Sequence, residues 1–312
     1  MNEASLRAWA VLSRAAMGPN PLLLAVAEEL GPAQATERLL AGELPTDVDT
    51  TELELASADV AQRDLEALSE VGGWLLTRDH PSWHDVLAAA GEPHRAGPDR
   101  AYSPPLALWV RGTVPVLTRE RRPIAIIGAR CSTSYGEQVA ARIAGVLTER
   151  GWPVISTGGF GIDSQVMQAV MDCGGAPMLM QPCGVERPYP SMHRGLINRA
   201  ADLGMVISEF PPGTPLATSR LRATSRLLAA LSSAVVVVEA GLRSNAHDVA
   251  AWARGLGRPV FAVPGPVTSA ASAGCHRLIQ SGATSLITSA EDIFTRLCPL
   301  PGDAPPGSRA EQ

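Results

Sequence analysis

The chain has 312 residues and a formal net charge of −5, and all 26 of its basic side chains are arginine, so a Walker phosphate loop with its lysine is excluded. Its five cysteines form no CxxC pair and its six histidines no HExxH, so neither a zinc site nor a disulfide frame is expected, and no cofactor is expected. The apolar runs fall far short of the roughly 18 residues of a membrane span, and the amino terminus, with Glu3 and interrupting arginines, is unlike a signal peptide, so a cytoplasmic protein away from the membrane is expected.

Residues 1–72 read as a small helical domain. Apolar residues recur at Leu6, Trp9, Ala10 and Met17, with Ser13 a gap in that face, then at Leu22 to Leu24 and Val26, then at Leu39 and Leu40. Gly18, Gly31, Pro32 and Pro45 cut this pattern into several short helices. Residues 73–123 hold short connecting strands and a linker near 96–103. From 124 to 298 strand and helix alternate, with strands at 124–127, 154–155, 177–180, 205–207, 234–239, 260–263 and 284–287. Helical patterns fill 135–150, 162–173, 192–201, 225–231, 246–255 and 275–280. Apolar strands without a polar face imply an α/β fold, a Rossmann-like parallel sheet with helices on both faces. Residues 299–312, rich in proline, are expected to be a disordered tail.

The stretch around which the chain is organised is 124–136, IAIIGARCSTSYG, a buried strand entering a glycine turn and then a helix. Unpaired N–H groups at such a helix start attract anions. Gly128, Arg130 and Ser132 in that turn point to phosphate. A second turn, VISTGGFG at 154–161, brings Gly158 and Gly161, and Asp163 follows where it can cap the next helix or hold a ligand hydroxyl. Adjacent glycine-lined strand ends form a crevice at the carboxyl edge of the sheet, the usual ligand position in open α/β sheets. The stretch 219–226, SRLRATSR, reads as a basic turn ahead of an apolar helix and places Arg220, Arg222 and Arg226 at that crevice. A third turn, GLRSN at 241–245, adds Arg243 and Ser244. Three arginine-bearing turns suit a run of phosphates. Glu209 in SEFPPG reads as a structural acceptor, and His193 and His276 as hydrogen-bonded structural residues; without a GxSxG elbow, Ser208, His193 and Asp163 make no triad.

These motifs together resemble the DprA (Smf) family of DNA-processing proteins, in particular its actinobacterial members. The shared stretches run from Trp74 to Ile293 and include PPLALWVRG, IAIIGAR with Tyr135 and Gly136, the GID at 161–163, Tyr189-Pro190, SEFPPG, SRLLAAL, VVVVEAG, AWARGLGRPVFAVPG and SAGCHRLI. The resemblance implies a non-enzymatic Rossmann-like protein that binds single-stranded DNA, dimerises, and loads the RecA recombinase during natural transformation. It also implies a sterile-alpha-motif-like fold for the helical region, and a DNA-facing role for Gly128, Arg130, the GID turn and Arg226. The chain departs from the family pattern at four places. Thr224-Ser225-Arg226 stands for the RNR motif, Phe160 precedes the GID glycine, Met167 replaces a histidine, and Asn245 replaces a glycine after EAG. The competing class is a nucleoside-monophosphate phosphoribohydrolase on a related sheet, whose PGGxGTxEE signature has no match in EAGLRSNAHD.

Overall fold

The structure, a computed structural model, describes residues 3–45, 57–81, 83, 103–113 and 122–297. The expected linker near 96–103 lies mostly, and the expected disordered tail wholly, outside the described residues. Four helices come first: α1 (Glu3–Ala16), α2 (Pro21–Leu30), α3 (Pro32–Ala41) and α4 (Ala58–Glu70). The Asn20 side chain caps α2 by accepting from Leu23 N–H, and Ser57 caps α4 in the same way. Next come β1 (Gly73–Thr77), β2 (Ala107–Gly112), β3 (Ile124–Ile127), α5 (Ser134–Glu149), β4 (Val154–Thr157), α6 (Ile162–Asp172) and β5 (Met178–Met180). A 3-10 turn, Ser191–His193, leads into α7 (Arg194–Leu203), then β6 (Met205–Ser208), α8 (Thr218–Leu231), β7 (Ala234–Val237) and α9 (Ala246–Gly255). The last elements are β8 (Val260–Ala262), α10 (Ala273–Gln280), β9 (Ser285–Leu286) and α11 (Ala290–Leu297).

The strands form one sheet in the order β1-β2-β6-β5-β4-β3-β7-β8-β9. All pairs from β6 to β9 are parallel, whereas β1 and β2 join antiparallel at one edge, β2 against β6. Strands read from sequence as connectors are thus members of the main sheet. Successive residues on a strand face opposite sides, and the burial follows. Ile124, Ile126, Val154 and Val236 belong to one core with α5 and α6, while Ala125, Ile127, Ile155 and Val237 belong to a second with α8 and α9. Helices on both faces leave no room for a polar strand face, as the apolar strands imply.

The helical region shares the first core. Trp109 on β2 is fully buried, and its indole N–H donates to the Ser13 hydroxyl at 3.0 Å. The polar gap in the face of α1 is therefore a required acceptor, since a buried indole N–H without a partner is costly. Beside it Arg14 pairs with Asp64 of α4 and donates to the Pro212 carbonyl at 2.6 Å. Burial pushes the Asp64 carboxyl up, against the opposing pull of Arg14.

Candidate functional site

From β3 the chain steps outward through β4, β5 and β6, then returns to place β7 on the other side of β3. That reversal is the topological switch point, where strand ends splay and open a crevice. The carboxyl ends of β3, β4 and β7 meet at a cavity of about 720 Å³, lined by Gly128, Arg130, Gly158, Asp163, Arg222, Arg243 and Ser244, with Thr157, Tyr189, Ser225 and Asn245 among their neighbours. Arg130, Arg222 and Arg243 are exposed at its rim.

The floor differs from the sequence expectation. Gly128 N–H, expected to face a phosphate, donates to Asp163 Oδ1 at 3.1 Å, and Thr157 donates its hydroxyl to the other carboxylate oxygen. Desolvation pushes the Asp163 carboxyl up to about 6, more than the Thr157 and Gly128 hydrogen bonds and the Arg130 charge pull it down. The start of α5, read as an anion site, is likewise filled from within. Glu239, just past β7, accepts Thr133 N–H at 2.9 Å and the Thr133 hydroxyl at 2.6 Å, while Thr133 caps Gly136 N–H. A Cβ on Gly136 would collide with the Glu239 carboxylate, so the glycine makes the approach possible. A carboxylate there gains the helix-dipole interaction that a ligand would otherwise receive.

Four expected site residues lie away from the cavity lining. Arg226 is buried, 2% exposed, with Nη2 at 2.6 Å from both Glu209 oxygens and Nη1 donating to the Ser103 carbonyl. Its assignment to phosphate is corrected: a buried guanidinium held by a carboxylate is unavailable to a ligand, and Glu209 is the structural acceptor it was read to be. Arg220 donates to the Pro215 carbonyl at 2.9 Å and stacks over Phe210. The Ser132 hydroxyl donates to Glu137 at 2.6 Å. Gly161, at φ +73°, presses against the Ala129 and Arg130 carbonyls, where any Cβ would clash, so it joins the two turns without facing the cavity.

The basic stretch 219–226 is also corrected from a turn to helix, because α8 begins at Thr218. On a helix, Arg220 and Arg222 point to opposite sides, which explains why only Arg222 lines the crevice. His193 is structural as read, its Nδ1 at 2.8 Å from the Gly158 carbonyl.

Sequence reading missed Glu239, Gln181 and Tyr189 as site-forming groups. Gln181, buried where β5 ends, accepts Tyr189 N–H at 2.8 Å and donates to the Tyr189 carbonyl at 3.2 Å. The tyrosine hydroxyl so placed accepts from Arg130 at 3.1 Å. A polar residue ending the apolar run MLM was the signal that something must be held there.

Sheet, switch point and arginine-rimmed crevice define a Rossmann-like α/β protein. The family model described as DNA recombination-mediator protein A matches residues 90–298, and the chain belongs to that family of DNA-processing proteins, as its motifs indicated. It is 42% identical over 314 residues to the putative DNA processing protein DprA of Mycobacterium tuberculosis, covering 99% of this chain and 80% of that one. It is 33% identical to the DNA processing protein DprA of Bacillus subtilis over 63% of this chain and 65% of that one. The fold matches the crystal structure of DprA from Streptococcus pneumoniae with a TM-score of 0.72 at 21% identity, covering 91% of this chain and 95% of that one. It matches DprA from Helicobacter pylori, whose structure describes a single-stranded DNA binding mode, with a TM-score of 0.59 at 22% identity, over 72% and 95% of the two chains.

Proposed function

We propose that this chain binds single-stranded DNA across the crevice and does not turn it over chemically. The observation that carries the reading is the convergence of Arg130 after β3, Arg222 on α8 and Arg243 after β7 on one open cavity at the switch point. Exposed guanidiniums from three elements offer a path for a phosphate backbone, and such contacts ignore base sequence. Family membership and the single-stranded DNA described for the Helicobacter pylori relative support the same reading. The test is a gel-shift titration with oligo-dT and with duplex at two salt concentrations. Preferential, salt-sensitive binding to oligo-dT is expected; preference for duplex, or no shift, removes the mechanism.

Two partner assignments go with this proposal on family grounds: a homodimer, and the host RecA as recipient of the strand. Sedimentation of the purified protein tests the first, and RecA filament formation on protein-coated single strands tests the second. The proposal gives the protein a cytoplasmic place of work; no helix among the described residues is long and apolar enough to cross a membrane. The phosphoribohydrolase reading is disfavoured by the residues after β7, where EAGLRSNAHD lacks the glycine pair and glutamates of that signature. Incubation with nucleoside monophosphates should release no free base.

A further inference from the structure

Phe160 lies between Gly159 and Gly161 of the second turn, 39% exposed, and outside both hydrophobic cores of the described residues. An isolated exposed apolar side chain needs no explanation, but this one is supported. The His193 ring meets it edge to face, centroids 4.6 Å apart at 67°, and His193 is itself anchored to the Gly158 carbonyl at 2.8 Å. The backbone beside it is equally constrained. Gly161 packs onto the Ala129 and Arg130 carbonyls, and Ile162 N–H donates to Ala129 at 3.1 Å. The turn carrying Phe160 is therefore fastened to the turn carrying Arg130. Arg130 is steadied in turn by Tyr189, whose hydroxyl accepts from it and whose ring centre lies 6.0 Å from the guanidinium carbon.

A cation on one turn and an exposed, braced apolar ring on the turn fastened to it are the kind of pairing by which single strands are bound without base preference: the backbone meets charge while a base stacks on the ring. We infer that Phe160, braced by His193, is a stacking platform for one unpaired base of the strand whose phosphate Arg130 holds. The inference rests on the proposed single-strand binding and adds a base-dependent contact to a site otherwise made of charge.

The experiment compares oligo-dT with an abasic phosphodiester oligomer of equal length, on the full chain and on Phe160→Ala, Phe160→Trp and His193→Ala. The wild-type protein should prefer oligo-dT. Phe160→Ala should lose about tenfold on oligo-dT and little on the abasic strand, within the range of one base–aromatic stack. Phe160→Trp should restore the preference, and His193→Ala should reduce it in part, with the thermal midpoint of each variant checked for folding. Equal losses on both strands, or none, would overturn the platform while leaving single-strand binding standing. Failure of the wild type to bind either strand would instead overturn the functional reading, and the platform with it.

Discussion

The Asn245 side-chain amide donates to the Ser225 hydroxyl at 2.8 Å, tying the turn after β7 to the middle of α8. The Ser225 hydroxyl in turn donates to the Leu221 carbonyl at 3.0 Å, so it is used in both directions. Ser225 and Asn245 are two of the positions at which the sequence departs from the family pattern, and they are each other's partners. These two departures thus meet at the crevice wall. Ser225→Ala and Asn245→Ala should each cost about 1 kcal/mol, and the double variant should cost less than their sum. Urea denaturation of the three variants measures the coupling.

Arg226 carries a different expectation from the crevice arginines. Arg226→Ala leaves the Glu209 carboxylate buried without its partner, which should destabilise the fold by about 3–5 kcal/mol. Replacing both partners, as Arg226→Met with Glu209→Leu, should recover most of that loss, because the desolvated charge is then gone. The recovered double variant should bind oligo-dT like the wild type. Thermal melts read the first effect and gel shifts the second.

Arg130, Arg222 and Arg243, exposed at the rim, should behave as phosphate contacts. Each change to Ala should weaken binding to all single strands alike and flatten the slope of log affinity against log salt by about 0.7. Titrations over a salt series are the measurement.

Asp163 should make binding pH-dependent. Its carboxyl, pushed up to about 6 by desolvation, is charged at neutral pH and faces the same cavity as the proposed phosphates. Affinity for oligo-dT should rise as pH falls through about 6, and Asp163→Asn should abolish the trend. Stability moves the same way. The folded-state value lies above the ordinary 3.8, so the native state holds more protons between the two, and this stability contribution is present at low pH and lost as pH rises through about 6. The difference in melting temperature between wild type and Asp163→Asn should change across that window.

What the sequence made legible was whatever depends on near neighbours. Apolar strands with no polar face announced a covered parallel sheet, and three glycine or small-residue turns after strands β3, β4 and β7 announced one edge. The start of α8 was not legible, because the residues 219–226 are mostly polar and arginine-rich and lack the apolar periodicity by which a helix is recognised. The fate of Arg226 was hidden for another reason: its partner lies 17 residues upstream in the loop after β6, and no spacing rule links them. The capping of α5 by Glu239 spans 106 residues. Carboxylates brought together with helix ends by the sheet's topology are invisible until the strand order is known.

The filling of the α5 helix start by Glu239 has a consequence for ligand choice. Where many nucleotide-binding sheets offer a free helix end to a single phosphate group, this one offers a seat already taken, and its exposed cations come from three separate elements at the rim. A mononucleotide brings its phosphates from one nucleotide, while an oligomer brings a run of them, each new contact made at high effective concentration once the first has formed. Selectivity then resides in strand length. If the proposed single-strand binding holds, free nucleotides should compete poorly for such a surface, leaving it open to long strands present in only a few copies.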